Sequence, residues 1–409
     1  MFRMIAFIFV ILLSGGIEAF TIATLDCVIN IDQDLGTPQP LYVYHNSNDF
    51  VTTAAGTSEF HLEKKEQIEL FCSDGFRPPL NKMQGELSTT LTATCMGGKK
   101  FIITEKSIEL EKAICNSYPN HTTMVSQNKC SAGFLIEIGF NMNGTWLPVL
   151  EVCHDRKIDS TKWVHHKIKP NNIYHQRSVP RPMFIQGDFY PGLRTEKLYT
   201  KYEQRKTLGQ VLKSQKLANK RILTGDTDFY LARGHLAAKA DYILASHQMA
   251  TFYFINAAPQ WQTFNGGNWQ AIEIGVKKIV AKRNVDTDVY TGTHDVVTYE
   301  DVDGIDREFY LASNGTHQRI PVPRFYYKVV IAKTINAGIV FVGINDPYLT
   351  IEQINEKYIL CPDVGDQVHY INWRRKNITA GYSYACAVDD FVKAIDALPN
   401  LPAIKKLLL

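Results

Sequence analysis

Two short segments of the chain hold polar side chains whose types and spacing could do chemistry. In the first, residues 231–236, Arg233 and His235 flank Gly234 directly after the turn-rich stretch 224–228. Because glycine lets the backbone pass close to a ligand, this cation and this imidazole could lie beside a bound group. A lone histidine after glycine is more often a loop residue satisfied by its surroundings, so the assignment needs a second segment.

The second segment begins thirty residues after His235, where a polar, glycine-containing helix start leads into an apolar-periodic helix. Asn265 and Glu273 would lie about 80° apart around a regular helix and about two turns along it, so both could face one site. Such an oxygen pair suits a hard cation such as Mg²⁺ that keeps most of its waters. Taken singly, Asn265 would be an N-cap and Glu273 a solvated residue with Lys277 as its salt-bridge partner.

The elements that must position these segments follow from the hydrophobic pattern. Apolar residues recur at helical spacing in residues 203–217, 268–281 and 389–398. Strand-like apolar runs occur at residues 252–255, 325–332 and 338–342. Helices and strands are intermixed, so the pattern predicts an α+β fold from about residue 156 onward.

The region from residue 20 to residue 155 has a different character. It contains six of the eight cysteines. Its strand-like runs lie between glycine, proline and asparagine turns, at residues 41–44, 101–104 and 134–140. We predict a disulfide-stapled, β-rich N-terminal domain there, and no catalytic constellation is visible in it.

The cysteines and glycosylation acceptors indicate an oxidising compartment. Eight cysteines are an even number, and none has the two-residue spacing typical of a tetrahedral zinc site. Cys361 and Cys386 lie far from the other six, so we expect them to pair with each other, while the other pairings stay open. Four Asn-X-Thr acceptors are present, at Asn120, Asn143, Asn314 and Asn377.

The N-terminus has the order of a secretory signal. Arg3 precedes the apolar run 5–13, and small residues follow up to Ala19. We therefore predict a signal peptide over residues 1–19 and an exported, extracellular protein. No later run reaches the roughly 18 apolar residues that a membrane helix needs, so we expect no membrane partner.

The charge is unevenly distributed along the chain. The whole chain has a net charge of +3, whereas residues 156–221 contain 16 basic and 4 acidic residues. Aromatic rings and imidazoles are interleaved with these cations, a mixture that can hold phosphates by charge and stack on sugars or bases. The alternative is a solvated basic face, or one that pairs with the acidic remainder of the fold.

Three segments in register resemble a known family. Residues 233–235, 256–260 and 265–273, by their order and spacing, are similar to the DNA/RNA non-specific endonucleases of ββα-metal fold. The run 320–330 resembles that family's late core strand. The chain is most similar to insect extracellular, gut-type double-stranded ribonucleases, which also have a cysteine-containing N-terminal region and a tail like residues 373–390. The resemblance implies a ββα-metal nuclease domain over residues 156–409, with a central mixed or antiparallel sheet flanked by helices.

Carried over residue by residue, the resemblance implies a role for each candidate. His235 would be the general base that takes a proton from the attacking water. Asn265 would bind Mg²⁺ directly, with Mn²⁺ as a possible substitute, and Glu273 would act through the waters of the metal. The ion would neutralise charge on the phosphate and on the leaving 3′ oxygen.

Three further residues receive supporting roles from the same resemblance. Arg233 would contact the phosphate and assist catalysis, Lys277 would offer a second cation to the substrate, and Asn256 would orient the site. One position departs from the family motif, which begins with Asp where this chain has Ala232. That Asp is not the base, so its loss concerns how the loop is held.

These inferences predict a secreted, sequence-independent endonuclease. It would hydrolyse phosphodiester bonds of double-stranded RNA, and DNA as well, to 5′-phosphate products in the gut lumen or another secreted fluid. The alternative is a non-catalytic extracellular homologue that binds or scavenges nucleic acid, which would keep the basic segment and tolerate loss of His235 or Asn265. A hydrolase with a Ser or Cys nucleophile has little support, because no nucleophile-elbow motif stands beside a histidine.

Overall fold

The N-terminal part of the chain folds as a small β structure. The computed structural model describes residues 26–80, 88–131, 133–313 and 317–409, so the signal peptide predicted for residues 1–19 and the acceptor Asn314 lie outside it. Seven strands come first: β1 (Cys27–Asn30), β2 (Leu41–Tyr44), β3 (Glu59–Leu62), β4 (Gln67–Phe71), β5 (Thr90–Gly97), β6 (Lys100–Ile103) and β7 (Lys106–Glu109). Five of them form an antiparallel sheet in the order β2-β4-β5-β6-β7, and β1 pairs with β3.

Disulfides and a separate apolar core hold this part together. The bonds Cys27–Cys95 and Cys72–Cys115 both lie within it. Side chains of β5 alternate between buried and half-buried, as expected for a strand with one face on a core. The disulfide-stapled, β-rich N-terminal region predicted from the sequence is thereby confirmed.

The next four strands form a meander that enters the main sheet. They are β8 (His121–Cys130), β9 (Gly133–Met142), β10 (Thr145–Asp155) and β11 (Ser160–Ile168), each antiparallel to the one before it. The disulfide Cys130–Cys153 joins β8 to β10. The domain boundary predicted after residue 155 falls in the hairpin between β10 and β11. From the sequence, β8 to β10 were predicted to belong to the N-terminal domain. They connect to the later strands of the sheet through β11, whose pairing with the distant strand at Thr287–Val296 leaves no local trace in the sequence.

After β11 the chain builds the elements that carry the candidate residues. They are α1 (Thr195–Leu198), α2 (Lys201–Val211), α3 (Gln215–Arg221), β12 (Leu231–His235), α4 (Ala245–Met249), β13 (Ala257–Trp261), α5 (Gln262–Phe264) and α6 (Gln270–Arg283). Strands β12 and β13 form an antiparallel hairpin. The hairpin and the long α6 follow one another in the order ββα.

The rest of the chain completes the central sheet. Its elements are β14 (Thr287–Val296), β15 (Thr298–Glu300), β16 (Asp306–Glu308), β17 (Tyr310–Ser313), β18 (Gln318–Pro321), β19 (Pro323–Ala332), β20 (Ala337–Ile344), α7 (Ile351–Lys357), β21 (Ser383–Cys386), α8 (Val388–Phe391) and β22 (Lys406–Leu407). The order is β21-β20-β19-β14-β11-β10-β9-β8, all antiparallel, with β22 added parallel to β20. The predicted α+β fold with a central mixed sheet is confirmed.

Strand β19 shows why the central strands of this sheet have uninterrupted apolar sequences. Tyr326 and Val330 pack in the core on the α6 side. Tyr327 and Val329 pack in a second core with α7 and α8. Because both faces are covered, nearly every position of β19 and β20 is buried.

Most local predictions hold, and three differ from the structure. The run 252–255 is not a strand, because residues 254–256 form a single 3-10 turn. The helix predicted for 203–217 is two helices, α2 and α3, with Lys213 left-handed at the break and Ser214 capping the second. The helix predicted for 389–398 contracts to α8. The predicted Cys361–Cys386 disulfide is present, and within the described residues no helix is long and apolar enough to span a membrane.

Candidate active site

The β12–β13 hairpin places Arg233 and His235 on one face. His235 ends β12 and pairs with Ala257. Because successive side chains of a strand point to opposite faces, Arg233 and His235 share a face, whereas Ala232 and Gly234 share the other. The cation and the imidazole of the motif therefore reach the same side of the hairpin, as the sequence analysis required.

The ring of His235 lies in an aromatic setting that keeps it neutral. Its centroid is 5.0 Å from that of Phe184 and 4.9 Å from that of Phe252. Burial lowers the pKa of His235 to about 3, and the cations Arg181 and Lys239 act in the same direction. Nε2 is buried without a hydrogen-bond partner among the described residues. This leaves Nδ1 as the nitrogen that can meet a water molecule.

Arg233 is half-buried beside the same aromatic cluster. Its guanidinium carbon lies 5.6 Å from the ring centroid of Phe184 and 5.7 Å from that of Tyr199. The side chain of Glu196 is 3.7 Å away. A phosphate in the cleft would meet an arginine held by ring faces and by a single partly exposed carboxylate.

Asn256 holds the backbone that follows His235. Its Oδ1 accepts a hydrogen bond from Ala237 N at 2.9 Å, and its Nδ2 donates to the carbonyls of Ala237 and Thr251 at 3.0 and 2.8 Å. The side chain is fully buried and does not line the cleft. Asn256 can therefore orient the site through the backbone, whereas contact with a substrate would require it to leave these three bonds.

Asn265 lies in a distorted turn that precedes α6. The regular helix assumed in the sequence analysis is interrupted at Gly267, which has non-helical backbone angles. A Cβ on Gly267 would lie 2.6 Å from the carbonyl oxygen of Ala380, so this close approach requires glycine. Asn265 Nδ2 donates to Gln262 Oε1 at 3.1 Å. Its Oδ1 has no hydrogen-bond partner within the described ranges and is available as an oxygen ligand.

Glu273 lies on α6 in the same cleft as Asn265. Burial raises its pKa to about 7, and the carboxylate of Asp241 acts in the same direction, against the nearby cations Lys328 and Lys277. A half-buried carboxylate next to an amide oxygen is a donor set that suits a hard cation and its waters.

Lys277 does not take either of the two positions considered from the sequence. It is buried, and its Nζ donates to the main-chain carbonyl of Ala240 at 2.6 Å. It does not line the cleft, and its Nζ is bound to the main chain at Ala240. Lys277 therefore stabilises the turn at residues 239–241 through its backbone, without reaching the cleft.

Four of the predicted residues meet in one cleft of about 660 Å³. They are Arg233, His235, Asn265 and Glu273. Three further cations line it that the sequence analysis did not single out: Arg177, Arg181 and Lys239. Two of these belong to the basic segment 156–221, which was the only sequence feature that could have indicated them.

The N-terminal domain supports one wall of this cleft. Tyr174 Oη donates to Asp32 Oδ2 at 2.5 Å, and Arg177 N donates to Asp32 Oδ1 at 3.1 Å. Between them, Gln176 Nε2 donates to the carbonyl of Ile31 at 2.8 Å. The segment that carries Arg177 is therefore attached to the N-terminal domain, at the residues that directly follow strand β1.

The position that departs from the family motif lies away from the reacting groups. Ala232 stands directly opposite Gln260 on the hairpin. Gln260 is fully buried, and neither atom of its amide has a hydrogen-bond partner in the part of the chain that the structure describes. Ala232 offers no polar side chain to this amide, and His235 and Arg233 lie on the cleft side.

The chain is similar in sequence to several salivary proteins. The chain is 26% identical over 403 residues to salivary protein Tsal2A of Glossina morsitans morsitans, covering 96% of this chain and 97% of that one. It is 24% identical over 382 residues to a salivary endonuclease of Lutzomyia longipalpis, covering 91% and 84%. A salivary endonuclease of Culex quinquefasciatus is 26% identical over 253 residues, covering 60% and 62%.

A solved structure and a family model also match part of the chain. A crystal structure of the EndoG/EndoGI complex aligns with a TM-score of 0.32 and 21% identity, covering 48% of this chain and 72% of that chain. Residues 134–391 match the DNA/RNA non-specific endonuclease family. That match begins inside β9 and includes the hairpin, the turn at Asn265 and α6. The chain belongs to the DNA/RNA non-specific endonuclease family.

Proposed function

We propose that this endonuclease is a secreted, metal-dependent enzyme that hydrolyses phosphodiester bonds without sequence preference. Double-stranded RNA is its favoured substrate, DNA is a second substrate, and the products carry 5′-phosphates. The observation that carries this proposal is that a neutral imidazole, His235, shares one cleft with two oxygen donors, Asn265 and Glu273. The cations around them supply affinity for any nucleic-acid backbone.

His235 is the general base in this proposal. Its lowered pKa keeps the ring neutral at neutral pH, so a lone pair on Nδ1 is free. An anionic phosphate bound beside the ring would raise that pKa and favour transfer of a proton from water. Arg233 and Arg181 stand beside the ring and balance the charge of the phosphate. Asn256 and Lys277 act on the site indirectly, through the backbone at Ala237 and Ala240.

Mg²⁺, or Mn²⁺ in its place, fits the two oxygen donors of the cleft, Asn265 and Glu273. Asn265 Oδ1 would be the direct protein ligand, and Glu273 would hold the ion through water. When bound, the ion would neutralise the charge that grows as the P–O bond breaks. Burial raises the pKa of Glu273 to about 7. A bound cation would lower that pKa and so favour the ionised carboxylate.

Secretion is supported by the covalent features of the chain. Four disulfides are formed, and the acceptors Asn120, Asn143 and Asn377 are exposed. Relatives carry salivary names, which suits a secreted fluid such as saliva or gut contents. We propose that the nuclease domain begins with β8, because that strand belongs to the central sheet.

The test is digestion of labelled double-stranded RNA and DNA by purified protein, with Mg²⁺ and with EDTA, beside a His235→Ala variant. We expect wild type to cut, EDTA to stop cutting, and the variant to bind without cutting. Relative rates then rank RNA against DNA. If wild type binds both polymers and cuts neither across neutral and alkaline pH, a non-catalytic nucleic-acid-binding homologue is the better account.

A further inference from the structure

A second groove adjoins the catalytic cleft on the other side of the turn that begins α6. Its volume is about 340 Å³, and it shares Gly266 and Gln270 with the cleft. The two grooves are thus separated only by a low ridge, made of a residue without a side chain and one flexible, exposed amide. A ligand as broad as a duplex could span this ridge, with one part in each groove.

The second groove presents two exposed cations, Lys278 and Arg374. Neither has an ion-pair partner among the described residues, and no carboxylate is among the described residues that line the groove. The neighbouring Arg375 is different, because Asp363 and Asp366 bind its guanidinium. The free charge therefore points to an anionic ligand outside the protein.

Arg374 is fixed to the turn that carries the candidate metal ligand. Asn268 Oδ1 accepts a hydrogen bond from Arg374 N at 2.8 Å, and Asn268 Nδ2 donates to Arg374 O at 2.9 Å. Asn268 is buried. The backbone that carries the cation of the second groove is therefore joined by a buried side chain to the turn that carries Asn265.

Helix geometry shows that the two grooves address different backbones. Lys278 follows Glu273 by five positions, which puts it about 140° around α6 and about 7.5 Å along it. One strand cannot lie on both sides of the helix without a sharp bend. Duplex RNA has a wide, shallow minor groove with a phosphate backbone on either side, and such a groove can straddle a low ridge.

We propose that the groove lined by Lys278 and Arg374 binds the backbone of the second strand of a duplex whose first strand lies in the catalytic cleft. This inference rests on the proposed function, since it assumes that the cleft holds nucleic acid. It gives the enzyme a physical basis for preferring double-stranded substrates. Gly266 keeps the ridge low, and the two cations supply contacts that a single strand does not use.

The test is a double variant, Lys278→Gln with Arg374→Gln, beside a control that also loses two charges, Lys106→Gln with Lys357→Gln. The control lysines are exposed, form no ion pair among the described residues, and line neither groove. Binding of a short RNA duplex and of its single strand is measured in EDTA at several salt concentrations. Cleavage of both, and of bis(p-nitrophenyl) phosphate, is then measured with Mg²⁺.

We expect the double variant to bind the duplex on the order of tenfold more weakly, with a salt slope reduced by about 1.8, while the control matches wild type. Single-strand binding and cleavage of the small diester should stay within about twofold of wild type. Equal losses for duplex and single strand, or no loss at all, would overturn the second-strand assignment. A wild type that binds the duplex but cuts nothing would defeat the proposed function alone, because the binding comparison is made without metal.

Discussion

Gln260 packs directly over Gly234 on the hairpin that ends at His235. A Cβ on Gly234 would lie 2.6 Å from Cβ of Gln260 and 2.9 Å from its Cδ. Gln260 is fully buried and cannot move aside. The sequence analysis attributed this glycine to the approach of a ligand, whereas the structure shows that packing against the neighbouring strand requires it.

Gly234→Ala should therefore damage both stability and activity. Forcing a methyl group against a buried side chain costs about 1–3 kcal/mol of unfolding free energy. The strain falls next to His235, so kcat should decrease as well. Denaturant unfolding measures the first effect. The control is Gly266→Ala, whose Cβ would meet only Gln262 Nε2 at 3.4 Å and should leave the unfolding midpoint unchanged. A Gly234→Ala variant as stable as wild type would contradict the packing argument.

Chemical rescue tests the base role of His235 through its pH dependence. His235→Ala leaves a space between Phe184 and Phe252 that added imidazole can fill. Wild-type His235, with a pKa of about 3, is already neutral between pH 5 and 8, so its own titration contributes no rise there. Free imidazole becomes neutral only near its ordinary pKa, about 6.5–7, so the rescued rate should rise through that range. We expect the ratio of rescued to wild-type rate to increase with pH.

The matching control for this rescue is Asn256→Ala. That variant disturbs the backbone after His235 but leaves no ring-shaped space, so imidazole should not restore its activity. If imidazole rescued both variants equally, or His235→Ala not at all, the general-base assignment would be wrong.

Asp32 offers a test of the contact between the N-terminal domain and the cleft. Asp32→Ala removes the acceptors of Tyr174 Oη and Arg177 N. Loss of two such bonds costs about 1–2 kcal/mol, and the effect should appear as a KM for duplex raised up to about tenfold, with kcat within about twofold. The reacting groups themselves stay in place. Steady-state kinetics separates the two constants.

Asp34→Ala is the control for Asp32, because it makes the same charge change two residues away. Asp34 bonds only within the N-terminal domain, to Asn30 N and to Lys99. Its KM should equal that of wild type. If Asp32→Ala lowered kcat and left KM unchanged, Asp32 would not be positioning Arg177 for substrate binding. Asp32→Asn, which keeps one acceptor, should be intermediate.

The parts of the site that could be predicted from sequence are those with short-range patterns. Arg233 and His235 are two residues apart on a strand, and Glu273 lies on a periodic helix, so local spacing was enough to group them. Asn265 lines the same cleft as Glu273 although the helix between them is interrupted at Gly267. The turn still places the side-chain amide of Asn265 in the same cleft.

The parts that could not be predicted depend on tertiary packing. Lys277 lies on the helix as its spacing suggests, but the carbonyl of Ala240 is the partner that fixes it. Arg177 lies in the cleft on a segment that Asp32 binds from another domain. Strand β8 joins the central sheet through pairing with β9, and no local pattern separates such a strand from one in an independent domain.

His247, which lies away from the candidate cleft, makes the stability of the fold depend on pH. Its ring packs edge to face on Phe50, with centroids 4.1 Å apart, and it lines a cavity between the N-terminal domain and the central sheet. Burial lowers its pKa to about 4, and its Nε2 has no hydrogen-bond partner among the described residues. The folded protein therefore holds this ring in its neutral form.

His247→Phe should make the protein less sensitive to acid. In the unfolded chain the imidazole takes up a proton below its ordinary pKa of about 6.5, whereas in the folded chain it does so only near pH 4. The stability that the neutral ring contributes is therefore fully present above about pH 6.5 and is lost as the pH falls toward 4. The free energy of unfolding should fall by about 2 kcal/mol between pH 7 and 5 through this group. Phenylalanine keeps the ring contact with Phe50 and cannot bind that proton. Urea unfolding at the two pH values should show a smaller loss for the variant by about that amount, whereas His369→Phe, at an exposed position, should behave as wild type. If the variant and wild type lost equal stability, the neutral state of His247 would not be part of what acid disrupts.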